Sequence, residues 1–70
     1  MKFKVELDTE ADGRWLAEVA ELPGVAAYGA TREEAVSAVM ALTFRVIADR
    51  VEHGEVMVQT LPVEFQFLAA

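Results

Sequence analysis

A run of 22 residues without proline or glycine, residues 31–52, limits the folds open to this chain more than any other feature. Thr31 is a good N-cap, and Glu34, three residues later, completes a capping box. Gly54 supplies the C-cap signal after His53 in the last turn. At a rise of 1.5 Å per residue the predicted helix is roughly 33 Å long. Because this helix takes up nearly a third of a 70-residue chain, the other residues must cover one of its faces.

Alternating apolar and polar residues predict four strands around this helix, at residues 2–8, 14–19, 25–28 and 63–67. Asp-Gly at residues 12–13 and Pro-Gly at residues 23–24 predict the turns between the first three strands. The expected fold class is α+β, a two-layer β-β-β-α-β arrangement with one long helix packed on one face of a four-stranded, mostly antiparallel sheet. A fourth strand that pairs beside the first would run parallel to it. Residues 1–70 are expected to form a single domain, with no separate DNA-binding domain.

The helix is apolar over a wider arc than one sheet usually covers. Ala35, Val39, Leu42 and Val46 lie within about 60° of each other and are expected to face the sheet. Other apolar residues extend the arc to about 200° around the helix.

Met40, Phe44 and Val51 lie at the edge of that arc, where a single domain can leave them exposed. One interpretation is that the apolar side chains of the loop at residues 55–62 fold over them. The other is that they form a protein–protein contact, most simply a homodimer interface.

Composition argues against several classes of protein. The net charge is −6, and the six Lys and Arg residues form no run, so direct nucleic-acid binding is not expected. The chain has no cysteine and one histidine, so neither disulfides nor an ordinary zinc site are expected, and no cofactor is predicted. No 18-residue apolar run or secretory signal is present, which predicts a cytoplasmic protein without membrane contact. Self-association would stabilise so small a core, and the acidity suits a basic protein partner.

Gly24 and Gly29 have the spacing of a phosphate-binding loop, and Thr31 stands in its last position. Ala30, however, occupies the position of the lysine that reaches the outer phosphates, and residues 25–28 have the pattern of a strand. We therefore interpret the two glycines as a turn residue and a residue of the strand-to-helix junction.

Two acidic patterns resemble metal sites and are interpreted as solvated charge. Asp8, Glu10 and Asp12 have the spacing that opens an EF-hand calcium loop, but Val19 stands where the bidentate glutamate belongs. Asp8, Glu18 and Glu64 could approach each other across the sheet in the manner of a two-metal nuclease, yet they fall on its polar face. No set of residues forms an enzyme signature, and no catalytic residue is predicted.

An ordered set of short motifs spans most of the chain: an Asp-Gly hairpin, an aromatic residue followed by an Ala-Glu-Val strand, Leu-Pro-Gly-Val, and Gly-x-Thr-x-Glu-Glu-Ala at the start of the helix. The residues are Asp12, Gly13, Trp15, Ala17, Glu18, Val19, Leu22, Pro23, Gly24, Val25, Gly29, Thr31, Glu33, Glu34 and Ala35. In this set the chain resembles the HicB-like antitoxins of bacterial type II toxin–antitoxin systems.

The resemblance implies a partial ribonuclease-H-like domain without nuclease activity, which binds a small basic HicA-like toxin and blocks mRNA cleavage. Members are commonly dimers or larger, and many carry a C-terminal DNA-binding domain that represses their own operon. The sequence here shows no such segment after the fourth strand, so autorepression is not expected.

Three functions follow as hypotheses: an antitoxin-like binding module, a solitary homo-oligomeric regulatory or structural protein, and a residual nuclease. For a toxin-binding surface the candidates are Glu10 and Asp12 at the hairpin and Asp49 and Glu52 on the helix.

Overall fold

The structure is a computed structural model, and it describes residues 1–55 and 62–69. Its elements, in chain order, are β1 (Lys2–Thr9), β2 (Trp15–Val19), β3 (Ala26–Gly29), α1 (Arg32–Glu52) and β4 (Glu64–Ala69). The predicted order β-β-β-α-β and the α+β class are confirmed, and each boundary lies within two residues of its prediction.

The four strands form one mixed sheet in the order β3-β2-β1-β4. β2 pairs antiparallel with both β1 and β3, while β4 pairs parallel with β1, from Lys2 opposite Glu64 to Leu7 opposite Ala69. The fourth strand therefore lies beside the first and runs parallel to it, as its return across the helix requires. β3 and β4 are the two edges of this sheet.

The first hairpin sets the register between β1 and β2. The amide of Glu10 donates to the carbonyl of Arg14 at 2.7 Å. Gly13 takes a φ of +89°, which suits a residue without a side chain. The turn thereby places Thr9 opposite Trp15, and every later pair of the two strands follows from it.

Hydrogen bonds cap both ends of the helix. Thr31 is the N-cap, and its Oγ1 accepts the amide of Glu34 at 3.1 Å. The carboxylate of Glu34 accepts the amide of Ala30 at 2.9 Å, one residue before the position that a capping box normally uses. At the other end His53 is the C-cap, and the amide of Gly54 donates to the carbonyl of Val51 at 3.1 Å. The predicted N-cap is confirmed, whereas the C-cap is His53 and the predicted Gly54 follows it with a φ of +70°.

The buried core lies between the helix and one face of the sheet. Its apolar members are Phe3, Val5, Leu7, Ala17, Val19, Leu22, Val25, Ala35, Val39 and Ile47.

The prediction of the helix face that meets the sheet is partly wrong. Ala35 and Val39 are buried as expected, but Thr43 and Ile47 continue that row, while Leu42 and Val46 are only half-buried. The hydroxyl of Thr43 donates to the carbonyl of Val39 at 2.7 Å, so its polar atom is satisfied inside the helix. The rest of the side chain can therefore take a fully buried place.

Gly29 lets the first turn of the helix lie directly against β3. A Cβ atom added there would lie 2.8 Å from the carbonyl carbon of Glu34 and closer still to the amide nitrogen of Ala35. The interpretation of this glycine as part of a strand-to-helix junction is confirmed. There is no space at this point for a phosphate between strand and helix.

Candidate functional site

The predicted oligomer interface lies along one stripe of the helix. Phe44 is 48% exposed and Val51 is 39% exposed, while Met40 is half-buried. Residues separated by four and seven positions lie close to one line along a helix. The alternative, in which apolar side chains of the following loop cover this stripe, depends on residues 56–61, which lie outside the described residues.

The stripe continues onto the sheet through phenylalanines that the sequence analysis did not single out. The ring of Phe44 packs edge-on against Phe65 at 5.5 Å between centroids, and Phe65 is followed by Phe67 at 6.5 Å. Phe65 also contacts the buried Phe3 at 5.7 Å, whereas Phe67 is 40% exposed. We call Phe44, Phe65 and Phe67 the phenylalanine patch. It joins the core to the surface at the β4 side of the molecule.

The face of the sheet that points away from the helix carries a pair of opposed acids. Glu6, near the middle of β1, and Glu18, the penultimate residue of β2, are direct cross-strand partners, and both are exposed. Like charges in that position repel each other. Neither glutamate belongs to an ion pair formed between described residues. We call these two residues the mid-sheet acid pair; a cation placed between them would relieve the repulsion.

The acids predicted at the hairpin are held by local contacts. Asp12 forms an ion pair with the guanidinium of Arg14 at 2.7 Å, and Glu10 is half-buried. The backbone amide of Arg14 donates to the Asp12 carboxylate and, together with the guanidinium, holds the pKa of Asp12 below its ordinary value of 3.8. The same guanidinium lies 4.4 Å from the centre of the Tyr28 ring. Because the Asp12 carboxylate is already paired with the Arg14 guanidinium, it attracts a cation of a binding partner less strongly.

The acids predicted on the helix, Asp49 and Glu52, are exposed in its last turns. The helix begins next to Gly29, which pairs with Trp15 beside the hairpin, and runs away from that end. Its 21 residues span about 30 Å. The four predicted partner-binding acids therefore lie at two opposite ends of the molecule and do not form one surface.

The sheet separates the carboxylates that could have formed a two-metal site. Asp8 lies opposite Leu16 near the hairpin, whereas Glu64 lies opposite Lys2 at the far end of β1. Six residues along a strand separate these positions by about 20 Å. The EF-hand-like spacing also falls on a tight hairpin between two strands, and the Val19 that follows is buried.

One group of potential metal ligands lies where the sequence analysis placed none. Ligand atoms of Asp49, His53 and Glu55 lie within 4.8 Å of one another, and all three residues are exposed. The Nδ1 atom of His53 lies 2.7 Å from the carbonyl oxygen of Asp49 and 3.4 Å from its carboxylate. The spacing of four residues on a helix predicts this proximity. These two contacts account for the proximity of Asp49 and His53 without an ion.

Within the described ranges, no helix combines the length and the apolar character needed to cross a membrane. The fold and surfaces define a small α+β domain with an exposed sheet face that carries the mid-sheet acid pair, and with an exposed phenylalanine patch. Comparison with protein-family models, with curated proteins and with solved structures finds no match to this chain.

Proposed function

We propose that the chain is an antitoxin-like binding module that sequesters a small basic mRNA-cleaving toxin by covering its surface. The observation that carries this proposal is the mid-sheet acid pair, Glu6 opposite Glu18, in a chain of net charge −6. Two carboxylates in register, without a cation between them, suit a lysine or arginine side chain from a partner.

The mechanism is occlusion supported by charge. A basic RNA-cleaving protein must present cations to the phosphates of its substrate. The mid-sheet acid pair, in a chain of net charge −6, competes for those cations, blocks access to RNA and raises the rate of association. Part of this attraction is screened by salt, so the affinity should fall as ionic strength rises.

The ordered motifs from Asp12 to Ala35 support the same proposal, because they resemble those of HicB-like antitoxins. Occupation of the toxin surface requires no catalytic group of its own. It also requires no cofactor and no direct contact with nucleic acid.

The genetic test expresses the small open reading frame next to this gene, with and without the chain. We expect growth arrest from the neighbouring protein alone and recovery when both are present. If growth is the same in both cases, the antitoxin role loses its support.

The binding test uses the purified neighbouring protein and three double variants of this chain. Glu6→Gln with Glu18→Gln should weaken binding about tenfold, or about 1.4 kcal/mol. Asp49→Asn with Glu52→Gln, and Glu10→Gln with Asp12→Asn, remove as much charge elsewhere. Equal losses in all three variants would show an effect of net charge and contradict a role for the mid-sheet acid pair.

A second candidate function, a solitary homo-oligomeric regulatory or structural protein, is favoured by the exposed phenylalanine patch and the adjoining stripe of Met40, Phe44 and Val51. Light scattering should then give at least twice the chain mass of 7.7 kDa. Phe44→Glu should return the protein to a monomer, whereas Tyr28→Glu, at the opposite edge of the sheet, should not. A monomeric parent protein would dispose of this candidate.

A further inference from the structure

The outer edge of β4 has the properties of an edge strand that can pair with another strand. β4 is the last strand of the sheet, and among residues 1–55 and 62–69 no strand pairs with its outer side. The amide of Glu64 donates to the carbonyl of Met1 at 2.7 Å, so the backbone of Glu64 faces β1. Backbone groups alternate in direction along a strand, which directs those of Phe65 and Phe67 to the open side.

β4 also lacks the features that normally protect an edge strand. Exposed edges are usually blocked by lysine, proline, a bulge or a very short strand. β4 has six residues, Glu-Phe-Gln-Phe-Leu-Ala, and Glu64 is its one charged side chain. The phenylalanine patch lies directly on this edge, so the unpaired backbone and the exposed apolar surface are continuous.

We propose that a second copy of the chain pairs with this edge, β4 against β4, antiparallel about a two-fold axis through Gln66. In this register Phe65 lies opposite Phe67 of the partner subunit, and the two residues exchange both backbone hydrogen bonds. Glu64 lies opposite Leu68 of the partner subunit, so the two glutamates do not face each other. The result is a continuous sheet of eight strands.

The register follows from the strand itself. Residues directly opposite each other in an antiparallel pair point to the same face of the sheet. In a two-fold pair, one residue must therefore lie opposite its own copy, and the axis passes midway between those two copies. With the axis at Gln66, residues 64–68 of both copies are all paired within β4. Placing the axis at Phe65 would put Phe67 opposite Val63, which precedes β4. Placing it at Phe67 would leave Glu64 without a partner inside the strand, just as the axis at Gln66 leaves Ala69, but it would form one cross-strand Phe–Phe pair instead of the two that the axis at Gln66 forms.

Charge favours a second copy over a basic partner at this edge. At the seam, the proposed contact between the two copies of β4, the strand contributes Phe65, Gln66, Phe67 and Leu68, with Phe44 packed beside Phe65, and Glu64 is the one acid of β4. The mid-sheet acid pair lies on β1 and β2, away from the seam. A basic partner would therefore bind at the acid pair, whereas the apolar surface along β4 is complementary to the same surface of a second copy.

This inference rests on the self-association proposed above as the second candidate function, and it adds the strand, the register and the axis. Disulfide trapping tests those additions, since the chain has no cysteine of its own. Gln66→Cys places one thiol per copy on the axis, in a pair whose Cα atoms are about 4.5 Å apart. That separation lies within the range of a disulfide, and mild oxidation should convert most of the protein to a covalent dimer.

Lys4→Cys is the matched control. Lys4 lies opposite Gln66 on β1, on the same exposed face and one strand further from the axis. Its thiols would be three strand spacings apart, about 14 Å, beyond the roughly 7 Å limit between the Cα atoms of a disulfide. Trapping of Gln66→Cys but not of Lys4→Cys supports the register, whereas equal trapping of both variants overturns it.

Phe67→Lys and Tyr28→Lys test the same pairing without introducing a cysteine. Both residues are exposed aromatic side chains on edge strands, on β4 and β3 respectively. In light scattering we expect Phe67→Lys to be monomeric and Tyr28→Lys to remain dimeric. One outcome would overturn the β4 pairing but not self-association. In that outcome Phe44→Glu disrupts the dimer, Gln66→Cys forms no disulfide, and Phe67→Lys leaves the dimer intact. A parent chain that is monomeric at all concentrations overturns both.

Discussion

Replacing Gly29 with alanine tests how closely the helix must approach the sheet. The added Cβ would lie 2.8 Å from the carbonyl carbon of Glu34, and ordinary van der Waals contact begins at 3.4 Å. The helix must therefore retreat by at least the difference, 0.6 Å, and by more at the amide of Ala35, to which the Cβ would lie closer. Both neighbours are backbone atoms, so no side chain can rotate out of the way.

The cost follows from two opposing effects. Overpacking a tight contact costs typically 1–3 kcal/mol, and we take about 3 kcal/mol because backbone must move. Removing a glycine from a strand returns about 0.5–1 kcal/mol. The expected net loss is about 2 kcal/mol, which lowers the melting temperature of a domain this size by about 8–16 °C. A core of this size supplies only about 3–5 kcal/mol in total, so the variant should be close to unfolding.

The assay is thermal and urea unfolding followed by circular dichroism, at one chain concentration so that self-association is held constant. Gly54→Ala is the control: its φ is +70° and a Cβ there meets nothing within 4 Å, so only backbone strain of about 1 kcal/mol is expected. Trp15 gives a second signal, because it is the cross-strand partner of Gly29 and the only tryptophan. Its folded-state emission should shift to the red in Gly29→Ala and stay unchanged in Gly54→Ala. A smaller loss for Gly29→Ala than for Gly54→Ala would refute the reasoning.

Two further predictions concern single side chains. Thr43→Val should raise the free energy of unfolding by about 0.5–1 kcal/mol, because the carbonyl of Val39 keeps its helical hydrogen bond while a methyl group replaces the buried hydroxyl. Thr43→Ser should lower the free energy of unfolding by about 1 kcal/mol. A loss of stability in both variants would contradict this account. The carboxyl of Asp12 should titrate below pH 3.8 in the folded chain, since the amide and guanidinium of Arg14 favour its charged form. A lowered pKa in the folded state adds stability above the unfolded value, and that stability is lost as pH falls through the folded value. In NMR titrations Arg14→Gln should raise the Asp12 pKa but leave it below 3.8, because the backbone bond remains; a parent pKa at or above 3.8 would contradict the structure.

Local signals were sufficient to predict the elements and their order. Thr31, Glu34 and Gly54 have residue types that act at helix ends, and alternation of apolar residues does not depend on what packs against a strand. The parallel pairing of β4 also follows, since a strand reached through a helix that crosses the sheet returns in the same direction. These features depend on neighbours in sequence or on connectivity.

The contacts that decide the candidate surfaces could not be predicted in the same way. Periodicity ranks Leu42 above Thr43 for burial, but Thr43 satisfies its hydroxyl within the helix and takes the buried place. The exposure of Phe67 depends on β4 being an edge strand. A central strand would show the same alternation of apolar and polar residues, so the sequence pattern does not predict this exposure. The opposition of Glu6 and Glu18 was accessible in principle, because the hairpin places Thr9 opposite Trp15 and the pairs behind it follow.

Pairing of two chains through β4 would also fix the relative positions of their two mid-sheet acid pairs. A two-fold axis through Gln66, perpendicular to the sheet, keeps equivalent faces on the same side, so both helices lie on one side and both mid-sheet acid pairs on the other. The extended sheet then presents two basic-partner sites in a fixed orientation. A dimeric or tandem basic partner could occupy both, and its second contact would form at a high effective concentration. Breaking the seam with Phe67→Lys should therefore weaken binding of a bivalent partner far more than binding of a monovalent one, although Phe67 lies on the opposite face from either acid pair. Equal weakening of both would show that the two surfaces act independently.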